Sequence, residues 1–169
     1  MSVLAQIEAS IPALRRYAWA LLRHRPDADD LVQDALLRAL DHLDPMMGED
    51  GVRAWLFTIA RNLFVIRLRK ARVRGVSVPL DGVNAERLSA GAGQEWNLSM
   101  RDFLRGFDQL PDDQRQVLLL VAVEGFAYGD AAAILGVPVG TVMSRLSRAR
   151  ERLRVSMDGE ASPKLRRVK

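Results

Sequence analysis

The sequence predicts an all-α protein in which a flexible linker joins two small helical domains. Apolar residues recur at steps of three and four along most of the 169 residues, a spacing that places them on one face of a helix. This pattern fades between Gly75 and Gly93, where glycines and Pro79 interrupt it. Apolar residues make up 49% of the chain, which is enough to form buried cores. The predicted boundaries are 1–74 and 96–157 for the domains, 75–95 for the linker and 158–169 for a basic tail.

The first domain is predicted to contain three helices. Residues 11–24 form the first helix, with Ser10 as its cap and Pro12 in its first turn. Pro26 begins the second helix, and its apolar stripe comprises Ala28, Leu31, Val32, Ala35, Ala39, Leu40 and Leu43. Residues 44–51 break the pattern, which resumes over 53–74 with an inward face of Leu56, Ile59, Ala60, Leu63 and Ile66. These helices are expected to pack as one unit.

The second domain is predicted to end in two helices around a glycine turn. Helices over 96–110 and 112–123 precede a compact helix that Gly136 ends, because glycine adopts positive φ readily. The last helix begins near Pro138 and continues to 154, with a buried stripe of Val142, Leu146, Ala149 and Leu153. Beside that stripe lies a cationic strip of Thr141, Ser144, Arg145, Arg148 and Arg152. Such a helix fits the major groove of DNA, and the alternative is a solvated face of an amphipathic helix.

Charge is distributed unevenly along the chain. The net charge of +4 and the isoelectric point near 10.1 favour a polyanionic partner. Residues 26–50 nevertheless carry eight acidic side chains and one basic side chain, whereas residues 53–74 carry seven basic side chains and no acidic one. A protein that only coats nucleic acid does not need the acidic segment, so the sequence also predicts a basic protein partner.

Several function classes are excluded by composition. The chain has no cysteine, and its two histidines are isolated, so no metal site, cofactor or catalytic cluster is expected and an enzyme is an unfavoured interpretation. No apolar run is long enough to cross a bilayer, and the N-terminus does not have the pattern of a signal peptide. A protein without membrane insertion, located in the cytoplasm, is the expectation.

Four segments resemble the extracytoplasmic-function sigma factors, a class of the bacterial sigma-70 family, and the resemblance covers nearly the whole chain. ADDLVQDALLRAL (28–40) resembles the helix that docks on the clamp coiled coil of the largest polymerase subunit, and RAWLFTIARNLFVIRLRK (53–70) resembles the minus-10 promoter helix. Residues 110–128 and 131–154 resemble the domain that reads the minus-35 element. The resemblance implies a transcription initiation factor that binds core RNA polymerase and promoter DNA. A stand-alone helix-turn-helix regulator, the rival interpretation, explains 110–154 but not the first 74 residues.

The resemblance also implies which residues make the contacts. Asp30, Gln33, Asp34 and Leu37 follow i, i+3, i+4, i+7 spacing and form the strip expected to bind core polymerase, with a solvated helix face as the alternative. The residues expected to meet the minus-10 element are Trp55, Thr58, Arg61, Asn62, Arg69 and Arg72. For Trp55 two roles stay open, stacking on a base or packing inside the protein.

The chain departs from the family pattern at two positions. Gly51 stands where many members have an asparagine in the loop that captures a minus-10 base, and Met143 stands where a lysine is common in the reading helix. The stretches GFAY (125–128) and 137–153 look most similar to the general-stress branch of alphaproteobacteria. That branch implies an anti-sigma partner that clamps both domains.

Overall fold

The computed structural model describes residues 2–43, 49–75 and 94–161, and all the regular elements in these ranges are helical. They are α1 (Val3–Leu22), α2 (Arg25–Asp41), α3 (Glu49–Arg74), α4 (Gln94–Asp108), α5 (Asp112–Leu118), α6 (Tyr128–Leu135) and α7 (Val139–Ala161). The all-α prediction is therefore confirmed for the described residues. Most of the predicted linker 75–95, most of the loop 44–51 and the last part of the predicted tail lie outside the described residues. None of the described helices is both long and apolar enough to cross a membrane.

Helices α1, α2 and α3 pack against one another and form what we call the N-terminal bundle. Large side chains from all three helices are fully buried at its centre: Leu14, Tyr17, Leu31, Leu56, Phe57 and Phe64. Burial of one such apolar side chain stabilises a fold by about 1.5–3 kcal/mol. These side chains belong to one hydrophobic core that continues into helices α4 to α7.

The predicted start of the first helix is wrong. Helix α1 begins at Val3, and the hydroxyl of Ser2, not that of Ser10, accepts a hydrogen bond from a first-turn amide, that of Ala5, at 3.3 Å. Ser10 is buried inside the helix, where its hydroxyl donates to the Gln6 carbonyl at 2.8 Å. Pro12 removes one amide donor from the hydrogen-bond ladder, yet α1 continues through it to Leu22, with buried residues on both sides, such as Ile7 and Leu14.

Two predicted core residues of the N-terminal bundle face solvent instead. Leu40 is 47% exposed in the last turn of α2, and Ile66 is 40% exposed on α3. Ile66 follows the fully buried Phe64 by two residues, which is about 200° around a helix, so both cannot face the core. Phe57 and Phe64 are buried on the inward face instead, and burial of an aromatic ring removes more apolar surface from water than burial of Ile66 would.

Helices α4 to α7 form what we call the C-terminal bundle, in which α7 packs against α4, α5 and α6. The predicted stripe of α7 is confirmed, since Val142, Leu146, Ala149 and Leu153 are all buried. Gly136 ends α6 with φ of 64°, as expected for a glycine cap. Helix α7 continues to Ala161, so the first four residues of the predicted tail 158–169 are helical.

Helix α5 does not end as an ordinary α-helix. Residues Leu119–Val123 form a π-helical turn, and the amide of Glu124 donates to the Leu119 carbonyl at 2.9 Å, five residues back. Gly125 then adopts φ of 72°, and the amide of Phe126 donates to the Leu120 carbonyl at 3.0 Å. These bonds give the segment 124–126 a defined conformation. The two bundles meet next to it, because α6 packs on α3 and α5 contacts α1.

Candidate nucleic-acid and partner interface

The acidic strip of α2 lies on one face of the helix. Asp30, Gln33 and Leu37 are exposed and Asp34 is half-buried, while Leu31 and Ala35 on the opposite face are fully buried. Leu37 is 60% exposed, which is high for a large apolar side chain in a folded bundle. The strip thus presents one apolar side chain beside two carboxylates.

Sequence reasoning missed the residue that organises this strip. Arg67 of α3 places its Nη2 atom 2.9 Å from Asp30 Oδ2 and 2.7 Å from Asp34 Oδ2. Its Nη1 also donates to the Asp27 carbonyl at 3.1 Å. A spacing rule within one helix cannot find such a partner, because Arg67 lies more than thirty residues along the chain from both carboxylates.

The proposed minus-10 strip of α3 is only partly solvent-facing. Asn62, Arg69 and Arg72 are exposed, whereas Thr58 and Arg61 are half-buried. The Thr58 hydroxyl donates to the Ala54 carbonyl at 2.9 Å, and Arg61 Nη1 donates to Asn62 Oδ1 at 3.1 Å. The amide NH₂ of Asn62 therefore stays available to an acceptor on a base edge.

Trp55 and Gly51 lie in helical backbone at the start of α3. Trp55 is half-buried and packs against the N-terminal core, a geometry that favours the packing role over stacking on a base. Gly51 was expected in the base-capturing loop, but it is the third residue of α3 and is exposed. The helix therefore begins four residues earlier than the sequence pattern predicted.

The strip of α7 lies beside the buried stripe, and Ser144, Arg148 and Arg152 are exposed along it. Thr141 and Arg145 are half-buried; the Ser144 hydroxyl donates to the Thr141 carbonyl at 3.1 Å, and Arg145 Nε lies 3.2 Å from Asp113 Oδ2. Within the part of the chain that the structure describes, Arg148 and Arg152 form no ion pair. Two unpaired guanidinium groups are therefore available to phosphate oxygens.

One arginine of α7 is neutralised by its own helix. Arg154 contacts Glu151 at 2.7 Å and Asp158 at 2.8 Å. The hydrogen bond between Arg154 and Glu151 raises the pKa of Arg154 and lowers the pKa of Glu151. Met143, where the family often has a lysine, is 52% exposed and adds no charge to the surface.

The remaining acidic residues do not form a metal centre in the described ranges. No group of three or more His, Cys, Asp or Glu side chains there is arranged to hold a metal ion. The carboxylates that lie near each other are instead paired with arginines, as for Asp30 and Asp34 with Arg67.

Comparison with known proteins gives matches to both halves of the chain. Residues 100–153 match the family "Sigma-70, region 4", and residues 7–61 match the "Sigma2 domain of PhyR". The curated ECF RNA polymerase sigma factor EcfG of Rhodopseudomonas palustris (strain TIE-1) is 47% identical over 147 residues, which is 87% of this chain and 80% of that protein. The ECF RNA polymerase sigma-E factor of Escherichia coli (strain K12) is 33% identical over 151 residues, which is 83% of this chain and 77% of that protein.

A solved structure also matches over most of its length. It is the sigma factor RpoE in complex with the anti-sigma factor NepR from Bartonella quintana, and it superposes with a TM-score of 0.70 at 35% identity. The match covers 91% of this chain and 95% of that chain. The similarity therefore includes helices of both bundles.

Proposed function

Because the chain belongs to the extracytoplasmic-function (ECF) sigma factors of RNA polymerase, we propose that it divides polymerase docking and promoter recognition among three surfaces on its two bundles. Membership confirms the resemblance inferred from the sequence and favours a sigma factor over the stand-alone regulator. The protein binds core RNA polymerase, directs it to promoters and promotes initiation, and the polymerase supplies the chemistry. We assign residues 1–74 to the domain for polymerase docking and the minus-10 element, and residues 96–157 to the domain for the minus-35 element.

The first surface is the strip of α2, which we assign to core polymerase. Its support is the combination of exposed Leu37 with the carboxylates of Asp30 and Asp34, a pattern that suits a basic and partly apolar partner. Arg67 holds the two carboxylates in place before binding. A partner arginine then meets carboxylates whose positions are already defined, which lowers the entropy cost of the contact.

The second surface is the strip of α3, which we assign to the minus-10 element. Arg69 and Arg72 are exposed and are placed to neutralise phosphates, and the NH₂ group of Asn62 is free to donate to a base. These groups suit a strand that has been separated from its partner, because unpaired bases expose the edges that a side-chain amide reads.

The third surface carries the proposal most directly. On α7 a fully packed apolar stripe lies beside Arg148 and Arg152, two exposed arginines without ion pairs in the described ranges. A helix anchored on one side and cationic on the other is suited to insertion into the major groove at the minus-35 element. Met143 offers that groove an apolar contact in place of a charged one.

An anti-sigma factor is the expected regulator of this protein, and the cytoplasm its expected location. The support is the similarity to RpoE of Bartonella quintana, which was solved with the anti-sigma factor NepR, together with the similarity to EcfG. Core polymerase and promoter DNA are the other two partners, and both are cytoplasmic in bacteria.

In vitro transcription tests this function. Purified protein is added to core RNA polymerase on a pool of genomic fragments, and new transcripts are mapped to their start sites. We expect start sites preceded by shared minus-10 and minus-35 sequences. Active core that yields no new start site with this protein would contradict the proposal.

A further inference from the structure

The two bundles are joined by a contact that centres on Glu124, at the end of the π-helical turn. Its carboxylate is completely buried and accepts hydrogen bonds from Arg16 Nε at 2.8 Å and Arg16 Nη2 at 2.7 Å. Arg53 Nη2 donates to the same carboxylate at 3.2 Å and to the Glu124 carbonyl at 2.8 Å. Two arginines from the N-terminal bundle thus hold one carboxylate of the C-terminal bundle.

An aromatic contact lies directly beside these ion pairs. Phe126 meets Phe57 edge to face, with ring centroids 5.0 Å apart, and the Arg53 guanidinium lies 4.3 Å from the Phe126 centroid. We call this set, Glu124 and Phe126 with Arg16, Arg53 and Phe57, the Glu124 clasp. The π-helical turn leads directly into the clasp, because the amide of Glu124 donates to the Leu119 carbonyl at the end of that turn.

A second ionic contact crosses between the bundles at Arg23. This residue ends α1 with φ of 54°, and its buried guanidinium lies 3.1 Å from Asp108 at the end of α4. Burial lowers the pKa of Arg23 and raises that of Asp108, and each charge partly opposes the shift of the other. Each charge of such a buried pair is stable only while the other charge stays in place, because a buried charge without a partner is strongly destabilising.

The contact between the bundles also brings the two proposed DNA-binding strips close to each other. Arg72 of the minus-10 strip lies 3.4 Å from Asp112, and Arg145 of the minus-35 strip lies 3.2 Å from the adjacent Asp113. Consecutive Cα atoms are about 3.8 Å apart, so the two guanidinium groups are at most about 20 Å from each other. One pair of neighbouring acids therefore engages an arginine from each strip.

This arrangement is incompatible with binding both promoter elements. Elements at positions minus 10 and minus 35 are about 25 nucleotides apart, which is about 85 Å of duplex at 3.4 Å per nucleotide. Strips that are tied together at Arg72 and Arg145, within about 20 Å, cannot reach both elements at once. The bundles have to separate before the full promoter is bound.

We propose that the Glu124 clasp holds the free protein in a closed state, and that this state lowers its affinity for a promoter with both elements but not for the minus-35 element alone. The distinction arises because Ser144, Arg148 and Arg152 are exposed in the closed state, so α7 reaches a short duplex without opening. The part that concerns promoters rests on the proposed function. The closed state itself rests on the contacts between the bundles.

The first test measures the separation of the bundles in the full-length free protein. The chain contains no cysteine, so Ala9→Cys on α1 and Ala133→Cys on α6, both exposed, provide the two dye positions for fluorescence energy transfer. Glu124→Gln removes the charge that the two arginines share, and we expect the open population to rise at least about tenfold. Glu151→Gln is the matched control, because it removes a carboxylate that pairs only within α7.

The second test uses fluorescence anisotropy on two DNA probes taken from a promoter that transcription identifies. One probe carries the minus-35 duplex alone, and the other carries both elements with the minus-10 strands unpaired. We expect Glu124→Gln to tighten binding to the second probe by about the factor by which the open population rises, and to leave the first unchanged. Glu151→Gln is expected to alter neither the dye separation nor the ratio of the two affinities.

The outcomes separate the two proposals. Unchanged energy transfer in a Glu124→Gln protein with normal helical content would overturn the closed state. If that variant loses helical content, Arg16→Gln with Arg53→Gln opens the clasp from its other side, where both side chains are partly exposed. Absence of specific binding to either probe in every variant would contradict the proposed assignment of the two DNA-binding strips instead, and energy transfer would still decide on the clasp.

Discussion

At the residue scale, Arg67 determines what the α2 strip offers to a partner. Its guanidinium contacts Asp30 and Asp34 at 2.9 and 2.7 Å, yet both carboxylates stay substantially exposed. An exposed ion pair contributes about 0–1 kcal/mol to stability, so the fold does not depend on it. The pair instead fixes the direction in which the carboxylates point.

We therefore expect Asp30→Arg with Asp34→Arg to abolish association with core polymerase while the protein stays folded. Three guanidinium groups then lie together where a basic partner would dock, and the repulsion cancels the contact. Co-elution with core polymerase measures the loss, and circular dichroism measures the fold. Asp29→Arg, an exposed reversal just off the strip, is the control. Normal co-elution of the double variant would rule out α2 as the docking surface.

At the element scale, the turn between α6 and α7 depends on Gly136. Its φ of 64° lies in the left-handed region, where a residue with a Cβ atom pays about 1–2 kcal/mol. The same backbone also directs the Val137 amide to the Ala132 carbonyl at 3.1 Å, which closes the end of α6.

Gly136→Ala is expected to lower the free energy of unfolding by about 1–2 kcal/mol, although its Cβ atom would meet nothing within 4 Å. Gly129→Ala is the matched control, because Gly129 lies inside α6 with open space around it and alanine favours a helix by up to about 1 kcal/mol. Thermal unfolding followed by circular dichroism compares the two. A Gly136→Ala protein as stable as the Gly129→Ala protein would show that the positive φ is not required.

The strip of α7 makes a second prediction at this scale. Arg148→Ala with Arg152→Ala removes the two unpaired cations and with them two phosphate contacts. The slope of the logarithm of minus-35 duplex affinity against the logarithm of salt concentration should therefore fall in magnitude by about two. Arg154→Ala on the same helix should have little effect, because Glu151 and Asp158 already neutralise that side chain. Anisotropy titrations at several salt concentrations distinguish these expectations. Equal slopes in the two variants would mean that the strip is an ordinary solvated face.

Sequence reasoning succeeded for elements and failed for contacts between them. The stripe of α7 and the cap at Gly136 follow from spacing and backbone preference, which are local properties. The partner of Asp30 and Asp34 and the burial of Glu124 depend on chain segments that are distant in sequence, so no local pattern contains them. The early start of α1 was missed because a proline was interpreted as a helix start, whereas tertiary burial carried the helix through it.

At the scale of the whole molecule, the two bundles are expected to perform separate steps on the promoter. Asn62 and Arg69 lie on α3 and are exposed, far in sequence from the strip of α7. Changes at either strip should then affect one step and spare the other. This independence requires that the bundles part when the promoter is bound.

Asn62→Ala with Arg69→Ala should leave minus-35 duplex affinity unchanged and reduce opening of the minus-10 region. The variant removes one amide donor and one cation that single-stranded DNA would meet. Permanganate footprinting of the holoenzyme reports the opening, and anisotropy reports the duplex affinity. Arg15→Ala, which removes an exposed cation from α1, should change neither measurement. A parallel fall in both measurements would show that the two steps are not separable.

The extra residue in the π-helical turn has a consequence for how such proteins vary. The amide of Glu124 donates to the Leu119 carbonyl across five residues, where an ordinary α-helix spans four. Deletion of one residue from Leu119–Val123 would let the same amide bond the same carbonyl in α-helical geometry, so Glu124 would stay above Leu119 and keep facing Arg16 and Arg53. The turn can thus lose one residue without uncoupling the two halves. Related chains with an ordinary α-helical turn here are expected to keep both their promoter readers and the closed state.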